Sequence, residues 1–222
     1  DTIGFASNLT NTSSVAAIRS TKYENGQIFT NQDWCDDATI TSNPYGLAKA
    51  EGERLMRSWA ENRPIRLVTI HPSVVFGPIL HTRHLEGSMS YLKHFATGPP
   101  FVLDIHVNFV DVRDVACAHV NALEQGDDRS RHIIHKEGMW MKEVGGALTS
   151  LTGRKYATKR LPRYLAYLLA VFHPKLSIKR LRGTLGTHVK YDVGDSFSIL
   201  SLPNYETAKT LTDSISSILA QD

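Results

Sequence analysis

A tyrosine and a lysine, Tyr45 and Lys49, stand four residues apart in a segment whose composition favours a helix. That spacing places both side chains on one helical face, one turn apart. A phenol has an ordinary pKa of about 10, and a neighbouring ammonium group favours the phenolate and brings proton transfer closer to neutral pH. The pair is therefore a candidate acid–base group, although a surface tyrosine that packs on a lysine stem has the same spacing.

Three hydroxyl side chains stand upstream of this pair, in the run Thr12-Ser13-Ser14. The run lies at the end of a candidate strand, and the carboxyl ends of parallel strands present groups to a ligand crevice. A hydroxyl at that place can hydrogen-bond the carbonyl oxygen of a substrate while Tyr45 supplies a proton. The two motifs together point to carbonyl chemistry more strongly than either does alone.

The elements that must hold these groups alternate between strands and helices. Strands are predicted from Asn8 to Ile18, where the strand runs into a loop, and at Ile65 to Ile70, Phe109 to Val112 and Ile133-Ile134. Helices are predicted from Pro44 to about Asn62, from Lys142 to Leu151 before Gly153, from Pro162 to Phe172, and along the stripe Leu211, Ile215, Ile218 and Leu219. This alternation predicts an α/β fold with a parallel sheet.

One more helix is predicted directly after the strand that ends near Val112. Asp111 and Asp114 bracket its start in the manner of a capping box. Its apolar face is predicted to contain Val115, Ala116, His119, Ala122 and Leu123.

Two further segments complete a recognisable order of motifs, namely residues 71–78 (HPSVVFGP) and residues 108–116 (NFVDVRDVA). Together with the TSS run and the Tyr-Lys pair they resemble the extended short-chain dehydrogenase/reductase family, also called the NAD-dependent epimerase/dehydratase family. Within that family, the chain is most similar to the dihydroflavonol-4-reductase-like aldehyde and ketone reductases. The features that carry this closer likeness are Asp33 and Trp34, the continuation of the Tyr-Lys helix to Glu53, and Leu161-Pro162 before an apolar helix.

The resemblance implies a domain organisation. The fold would be the carboxyl-terminal part of a doubly wound, Rossmann-type parallel sheet with a smaller substrate-binding subdomain. Residues 1–130 would be the remaining part of the dinucleotide-binding domain, with residues 70–105 partly on the substrate side. Residues 131–222 would form most of the substrate-binding subdomain and the terminal helix.

The resemblance also implies roles for individual residues. Ser14 corresponds to the catalytic serine of the family, with Ser13 as the alternative, Tyr45 to the acid–base residue, and Lys49 to its partner, which also holds the nicotinamide ribose. The Asp114 segment corresponds to a structural element near the substrate mouth. Residues expected at the cofactor are Thr12, Ser13, Tyr45, Lys49, Pro72, Ser73, Val74 and Val75. The implied reaction is reduction of a small aldehyde or ketone by hydride transfer, with NADP, or alternatively NAD, as the cofactor.

The glycine-rich turn through which this family binds the pyrophosphate is absent from the sequence. Gly183 and Gly186 do not supply it, because the third glycine and a preceding apolar strand are missing. Only thirteen residues precede Ser14, whereas the missing units, at roughly 30 residues per βαβ unit, need on the order of a hundred. We therefore expect a truncated chain that is inactive alone, and the segment that selects NADP or NAD to lie outside it.

The composition of the 222 residues, with 41% hydrophobic and 21% charged residues, excludes disorder, collagen and a coiled-coil rod. No segment reaches the roughly 20 apolar residues of a membrane span. Cys35 and Cys117 are too few for a disulfide framework and are expected to be reduced thiols in the cytoplasm. Ten of the 25 Lys and Arg residues, and none of the 22 Asp and Glu residues, lie between Arg154 and Lys190. This basic segment is interpreted as a solvated face, with no nucleic-acid partner.

Two other functions compete with the reductase hypothesis. A nucleotide-sugar epimerase or dehydratase with tightly bound NAD would use the same tyrosine and lysine. A non-catalytic fragment that binds a partner or a membrane is suggested by apolar residues beside basic ones, namely Leu165, Leu168, Leu169 and Phe172 next to Arg160 and Arg163. We expect these side chains to cap a hydrophobic pocket for a small carbonyl substrate instead, and we do not expect membrane contact. A homodimer would form through the Tyr-Lys helix region.

Two pairs of histidines have a spacing compatible with a metal site, His81 with His84 and His132 with His135. Neither pair has the cysteines or carboxylates that would complete four ligands. They are therefore expected to be ordinary surface histidines, and no metal is predicted.

Overall fold

The structure, a computed structural model, describes residues 7–172, 181 and 183–221. Its strands are β1 (Asn8–Thr12), β2 (Gln27–Phe29), β3 (Arg66–Pro72), β4 (Val74–Phe76), β5 (His106–Asp111), β6 (Arg131–Ile134), β7 (Glu137–Trp140) and β8 (Val189–Tyr191). Its α-helices are α1 (Pro44–Glu61), α2 (Ser90–Thr97), α3 (Val112–Asn121), α4 (Met141–Thr152), α5 (Arg163–Phe172), α6 (Ser196–Ile199) and α7 (Thr207–Leu219). Short 3₁₀ helices lie at Val15–Ala17 and Thr82–Glu86.

A parallel sheet in the order β1-β3-β6 has helices on both faces. Alternate residues of β3 point to opposite faces. Val68 and Ile70 pack against Ala118 and the end of α3, whereas His71 contacts α1 on the other face. Strands covered on both sides are nearly continuous in apolar residues, as β3 is. The predicted α/β fold with a parallel sheet is confirmed.

A second sheet, in the order β4-β5-β7, carries the largest hydrophobic core. β4 and β5 are parallel, β7 runs antiparallel to β5, and the rings of Phe76 and Phe109 stack with centroids 4.9 Å apart. Helices α2, α4 and α7 bury Leu92, Leu148 and Ile215 against this sheet. The stripe predicted for the terminal helix is confirmed, since Leu211, Ile215 and Ile218 are buried in this core and Leu219 packs at its edge. The predicted division of the chain near residue 130 stays a prediction.

A third, two-stranded sheet pairs β2 with β8 in parallel. The strands β2, β7 and β8 and the helix α2 are not among the predicted elements. Strands of three or four residues carry little periodicity of their own and depend on pairing with distant segments. The predicted bounds of α1 and α4 agree more closely with the structure. Helix α1 spans Pro44–Glu61, and Gly153 ends α4 in the left-handed conformation that favours glycine.

The predicted capping box at α3 is wrong. Asp111 does cap the helix by accepting the backbone N–H of Arg113 at 2.8 Å. The Asp114 carboxylate instead accepts the backbone N–H groups of Asn204 at 2.8 Å and Tyr205 at 3.0 Å. The carboxylate therefore accepts from amides of a distant loop and not from the start of its own helix. These two hydrogen bonds connect α3 to the segment that precedes α7.

The predicted apolar face of α3 is only partly right. Ala118 and Ala122 are fully buried and Val115 packs against them. Ala116 and Leu123 are exposed. The buried face is displaced by about one position from the predicted one, because α3 packs against β3, β5 and β6 at once.

The apolar helix α5 is confirmed at Arg163–Phe172, but its basic rim is partly neutralised. Arg160 and Arg163 both approach the carboxylate of Asp104, at 3.0 and 3.8 Å. Leu168 and Leu169 are exposed, whereas Ala166 and Ala170 are buried. The predicted contributions of the Phe172 side chain and of Lys175, Lys179, Arg180 and Arg182 lie outside the described residues. Over the part of the chain that is described, no helix has both the length and the apolar character required to cross a bilayer.

Two adjacent glycines in α4 allow a matched test of its packing. A Cβ atom on Gly145 would lie 2.1 Å from the carbonyl oxygen of Ala157, whereas a Cβ on Gly146 would meet nothing within 4 Å. We predict that Gly145→Ala lowers the free energy of unfolding by about 1–3 kcal/mol through overpacking. Gly146→Ala should raise it by up to about 1 kcal/mol through helix propensity. Urea denaturation of both variants checks this, and equal effects would contradict the close approach of Gly145 to Ala157.

Candidate active site

The hydroxyl run lies where β1 ends. β1 pairs in parallel with β3, with Thr12 opposite Ile70, and the backbone N–H of Ser13 donates to the carbonyl of Ile70 at 2.9 Å. Ser14 follows with an extended backbone, and its Oγ accepts the N–H of Ala16 at 3.2 Å. Ser14 thereby caps the 3₁₀ helix Val15–Ala17, and the strand expected to run to Ile18 ends at Thr12.

The tyrosine and lysine lie in the first turns of α1. Asn43 caps this helix by accepting the N–H of Gly46 at 3.0 Å, and Pro44 occupies its first turn. Lys49 Nζ lies 6.0 Å from the centroid of the Tyr45 ring, whose residue is 60% exposed. Lys49 Nζ also donates to the backbone carbonyl of Thr12 at 3.3 Å. Tyr45 and Lys49 on α1 therefore lie close to the end of β1, at one edge of the sheet.

The Thr12 side chain is held by a histidine that the sequence did not mark as a site residue. Thr12 Oγ1 lies 2.7 Å from Nε2 of His119, and Nδ1 of the same ring lies 2.7 Å from the carbonyl oxygen of Val115. A carbonyl only accepts, so Nδ1 carries the hydrogen, and Nε2 faces the Thr12 hydroxyl. This contact ties β1 to α3.

The segment expected at the nicotinamide, Pro72 to Val75, begins at the last residue of β3 and runs into β4 at the same edge of the sheet. Ser73 is buried, its N–H donates to Ile134 at 3.0 Å, and its Oγ lies 3.3 Å from Nδ1 of His135. Val74 packs against the largest core and Val75 against the core below α3. The structure therefore places these residues beside the end of β1, with the two valine side chains turned partly into the interior.

Ser13 turns its side chain inward, to a buried carboxylate on α1. Its Oγ donates to Glu53 Oε2 at 2.8 Å, and the same oxygen lies 2.7 Å from Nε2 of His71. The other carboxylate oxygen accepts from Nε of Arg131 at 2.6 Å. Glu53 is 1% exposed and Ser13 5% exposed. Sequence reasoning missed this cluster, and its one signal is that Glu53 follows Lys49 by four residues on the same helical face.

The charges in this cluster follow from its burial and its donors. Burial alone would raise the pKa of Glu53, but the hydrogen bonds from His71 and Arg131 and the charge of Arg131 lower it to about 2. Burial lowers the pKa of His71 below its ordinary value, so the ring is neutral near pH 7 and donates from Nε2. The charged pair is thus Glu53 with Arg131, and His71 and Ser13 add neutral donors.

Arg131 extends the cluster to the loop that contains Trp34. Its Nη1 donates to the carbonyl oxygens of Asn31 and Asp33 at 2.6 and 2.8 Å, and its guanidinium carbon lies 3.9 Å from the centroid of the Trp34 ring. Arg54 lies 4.6 Å from the same ring. The indole therefore sits between two guanidinium groups, which fixes the loop that precedes α1.

A cleft of about 470 Å³ opens beside β5, β7 and β8. Its walls include His106, Asn108, His135, Trp140, His188 and Tyr191. Burial lowers the pKa of His135 to about 4 and raises the pKa of Tyr191 to about 12, so both groups are neutral at physiological pH. Because His135 contacts Ser73, the cleft lies next to the segment that follows β3.

The expectation that both histidine pairs lie at the surface is wrong for His132 and His135. His132 is 4% exposed and bonds to the Ser130 hydroxyl at 2.9 Å, because it lies on β6, which is covered by neighbours. His135 packs on the ring of Tyr191, with centroids 5.5 Å apart. His81 and His84 are exposed. No group of three or more metal-binding side chains occurs within the described residues.

Comparison with known proteins places these features in a family. Residues 8–135 match the profile of the NAD dependent epimerase/dehydratase family, and the chain belongs to that family. Cinnamoyl-CoA reductase CAD2 of Medicago truncatula is 27% identical over 159 residues, which cover 70% of this chain and 47% of that protein. The chain spans about half the length of the curated relatives it matches.

Solved structures show the same fold. The yeast methylglyoxal/isovaleraldehyde reductase Gre2, complexed with NADPH, aligns with a TM-score of 0.74 and 22% identity over 97% of this chain and 66% of its own. UDP-glucose 4-epimerase of Thermotoga maritima, with UDP-glucose, aligns with a TM-score of 0.71 and 16% identity over 97% of this chain and 64% of its own. At these identities the likeness establishes the Rossmann-type α/β fold, which reductases and epimerases share.

The Glu53 cluster gives a pH-dependence of stability that can be measured. The folded-state pKa of about 2 lies below the ordinary value for a glutamate, so the stabilisation is complete above about pH 5 and is lost as the pH falls towards 2. We predict that the free energy of unfolding falls over this range by about 3 kcal/mol more in the unsubstituted protein than in Glu53→Gln.

Urea denaturation at a series of pH values between 2 and 7 measures this difference. Glu51→Gln is the matched control, because Glu51 lies on the exposed face of the same helix, where it pairs with Arg54. Its acid dependence should match that of the unsubstituted protein. An unchanged acid dependence in Glu53→Gln would contradict the assignment of a buried, ionised carboxylate.

Proposed function

We propose that the protein is an NAD(P)-dependent oxidoreductase that reduces a small aldehyde or ketone, with Ser14, Tyr45 and Lys49 as its catalytic residues. The observation that carries the proposal is the bond from Lys49 Nζ to the Thr12 carbonyl, which brings the Tyr-Lys turn of α1 to the strand end that Ser14 follows. Membership of the family and the likeness to reductases support it. Because the chain covers about half of its relatives, the activity is proposed for the full-length protein.

Each catalytic side chain has a free group suited to its task. Tyr45 is an exposed residue, and its hydroxyl would protonate the carbonyl oxygen of the substrate. Ser14 Oγ accepts from Ala16, which leaves its own hydrogen free to orient that carbonyl oxygen. Lys49 uses one of three N–H groups on Thr12, so two remain for the Tyr45 side and for a ribose hydroxyl. The nicotinamide would supply the hydride to the carbonyl carbon.

We assign the cofactor as NADP, with NAD as the alternative, and support this with the NADPH complex of the yeast relative. Tyr45, Lys49 and the segment Pro72 to Val75 would lie along the nicotinamide end. Thr12 and Ser13 would contribute through the backbone, since their hydroxyls bond to His119 and Glu53. An exposed phenol, an ammonium group and backbone at the carboxyl ends of β1 and β3 suit such a ligand.

We place the small carbonyl substrate in the cleft next to Ser73, walled by Asn108 and aromatic rings. This placement fits the proposed division in which residues 1–130 serve the dinucleotide and residues 131–222 mostly the substrate. The exposed side chains of Leu55 and Trp59 on α1 support a homodimer through that helix. Cys35 and Cys117 are both free thiols, in keeping with a cytoplasmic location.

A tyrosine substitution tests the proposed chemistry in the full-length protein. We predict that Tyr45→Phe lowers kcat for NADPH-dependent reduction of isovaleraldehyde or methylglyoxal at least 100-fold, because the proton donor is lost. The Kd for NADPH should change by less than about threefold. Oxidation of NADPH, followed by absorbance, measures turnover. Tyr164→Phe, an exposed tyrosine on α5, is the control that should keep its turnover, and near-normal turnover of Tyr45→Phe would refute the assignment.

A nucleotide-sugar epimerase or dehydratase is the second candidate, favoured by the fold shared with UDP-glucose 4-epimerase. Such an enzyme returns the hydride to its substrate and consumes no cofactor. Purified full-length protein that retains NAD and interconverts UDP-sugars without net oxidation of NADPH would support this candidate against the reductase. Steady oxidation of NADPH with an aldehyde would exclude it.

A non-catalytic membrane-binding role is the remaining candidate, favoured by the exposed Leu168 and Leu169 on α5. The pairing of Arg160 and Arg163 with Asp104 weighs against it, since it weakens the attraction to anionic lipids. We expect no salt-sensitive sedimentation with phosphatidylserine vesicles. Salt-sensitive binding would favour the membrane role.

A further inference from the structure

The Glu53 carboxylate joins the elements that carry the proposed catalytic residues. It accepts hydrogen bonds from Ser13 at the end of β1, from His71 on β3 and from Arg131 on β6. Ser13 directly precedes Ser14, and His71 directly precedes Pro72. Glu53 itself lies one turn after Lys49 on α1. A single buried carboxylate therefore connects the helix that carries Tyr45 and Lys49 to the residues that directly precede Ser14 and Pro72.

We propose that Glu53 is a positioning residue, which sets the distance between the Tyr45-Lys49 turn and Ser14 by holding the Ser13 hydroxyl. The inference rests on the proposed function and deepens it. Glu53 lies below the surface and does not contact the substrate, so it acts through Ser13 and through the helix that carries Lys49. No role for this carboxylate follows from the reaction itself.

Within the described residues, two hydrogen bonds link α1 to Thr12 and Ser13. Their strengths decide which of them sets the geometry. The bond from Lys49 to Thr12 is 3.3 Å long and exposed, so water and salt weaken it. The bond from Ser13 to Glu53 is 2.8 Å long and buried, and its acceptor is ionised. Charge-assisted bonds in a dry interior are the stronger and more directional ones. The buried bond between Ser13 and Glu53 therefore determines the position of α1 relative to the end of β1.

A purely stabilising role explains the cluster less well. The desolvation of a buried ion pair cancels much of its attraction, and apolar residues of similar volume often stabilise a fold as well or better. Unlike an apolar core, the cluster provides directional hydrogen bonds at both carboxylate oxygens. Those directions hold three strands and one helix in a single arrangement.

The test uses the full-length protein and the Ser13→Ala variant, which removes one hydrogen bond to Glu53 and leaves those from His71 and Arg131. We expect kcat for NADPH-dependent reduction of isovaleraldehyde to fall about tenfold or more, since small displacements of reacting groups are costly. The KM for the aldehyde and the Kd for NADPH should stay within about twofold, because the loss concerns the transition state. Ser13→Cys keeps the shape of the side chain with a somewhat larger sulfur atom, donates only weakly, and should show the same loss.

Thr69→Val is the matched control. Thr69 lies on β3, and its buried hydroxyl has no hydrogen-bond partner within the described residues. Its removal perturbs the same region without touching Glu53, so turnover should stay within twofold of the unsubstituted protein. The urea midpoint of Ser13→Ala should lie below that of Thr69→Val, because only Ser13→Ala loses a hydrogen bond to an ionised group. Both variants should be fully folded at the assay temperature, and amide hydrogen exchange should be faster around residues 13–17 only in Ser13→Ala.

Several outcomes would overturn the inference. Turnover of Ser13→Ala or Ser13→Cys within twofold of Thr69→Val would show that the bond positions nothing. A loss of turnover that matches a smaller folded fraction at the assay temperature, or a rise in KM and Kd instead of a fall in kcat, would assign Ser13 and Glu53 a structural or binding role. Normal turnover of Tyr45→Phe would instead refute the proposed function, so the two failures are distinguishable.

Discussion

The parallel pairing of β1 with β3 is the constraint on which the candidate site depends. With Thr12 opposite Ile70, the hydroxyl run at the end of β1 and the segment that starts with Pro72 at the end of β3 lie at the same edge of the sheet. A register shift by one residue would reverse the faces of the strand and turn Ser13 away from α1. The helix that carries Tyr45 and Lys49 reaches this edge because it packs against β3 and against the 3₁₀ helix Val15–Ala17 that follows β1.

The buried carboxylate of Glu53 converts this pairing into a defined geometry. Hydrophobic packing of α1 on the sheet is nondirectional and tolerates small sliding motions. A carboxylate that receives bonds at both oxygens, from β1, β3 and β6, restricts such sliding. The loop at Trp34 is fixed by the same guanidinium group of Arg131. The cluster thus couples the segment before α1 to the strand ends on which the proposed chemistry takes place.

Much of the fold could be predicted from the sequence, and the reasons for the exceptions are physical. Helices α1 and α4 have proline or glycine at their ends, and α7 has an apolar stripe, all of which are local signals. Strands β2, β7 and β8 have three or four residues and depend on partners far along the chain. In the site, the Tyr45-Lys49 pair has a recognisable spacing. Glu53 follows Lys49 by four residues, but this spacing does not reveal its burial, because a glutamate on a helix ordinarily faces solvent. The burial depends on Arg131, which lies 78 residues further along the chain.

The edge of β1 has a consequence for how this polypeptide behaves. Within residues 7–172 and 183–221, β1 has β3 on one side and no strand on the other. Another extended peptide can hydrogen-bond to a strand side that has no neighbour. A strand supplied in trans and aligned in parallel would place its own carboxyl end beside Thr12, next to the hydroxyl groups of Ser13 and Ser14.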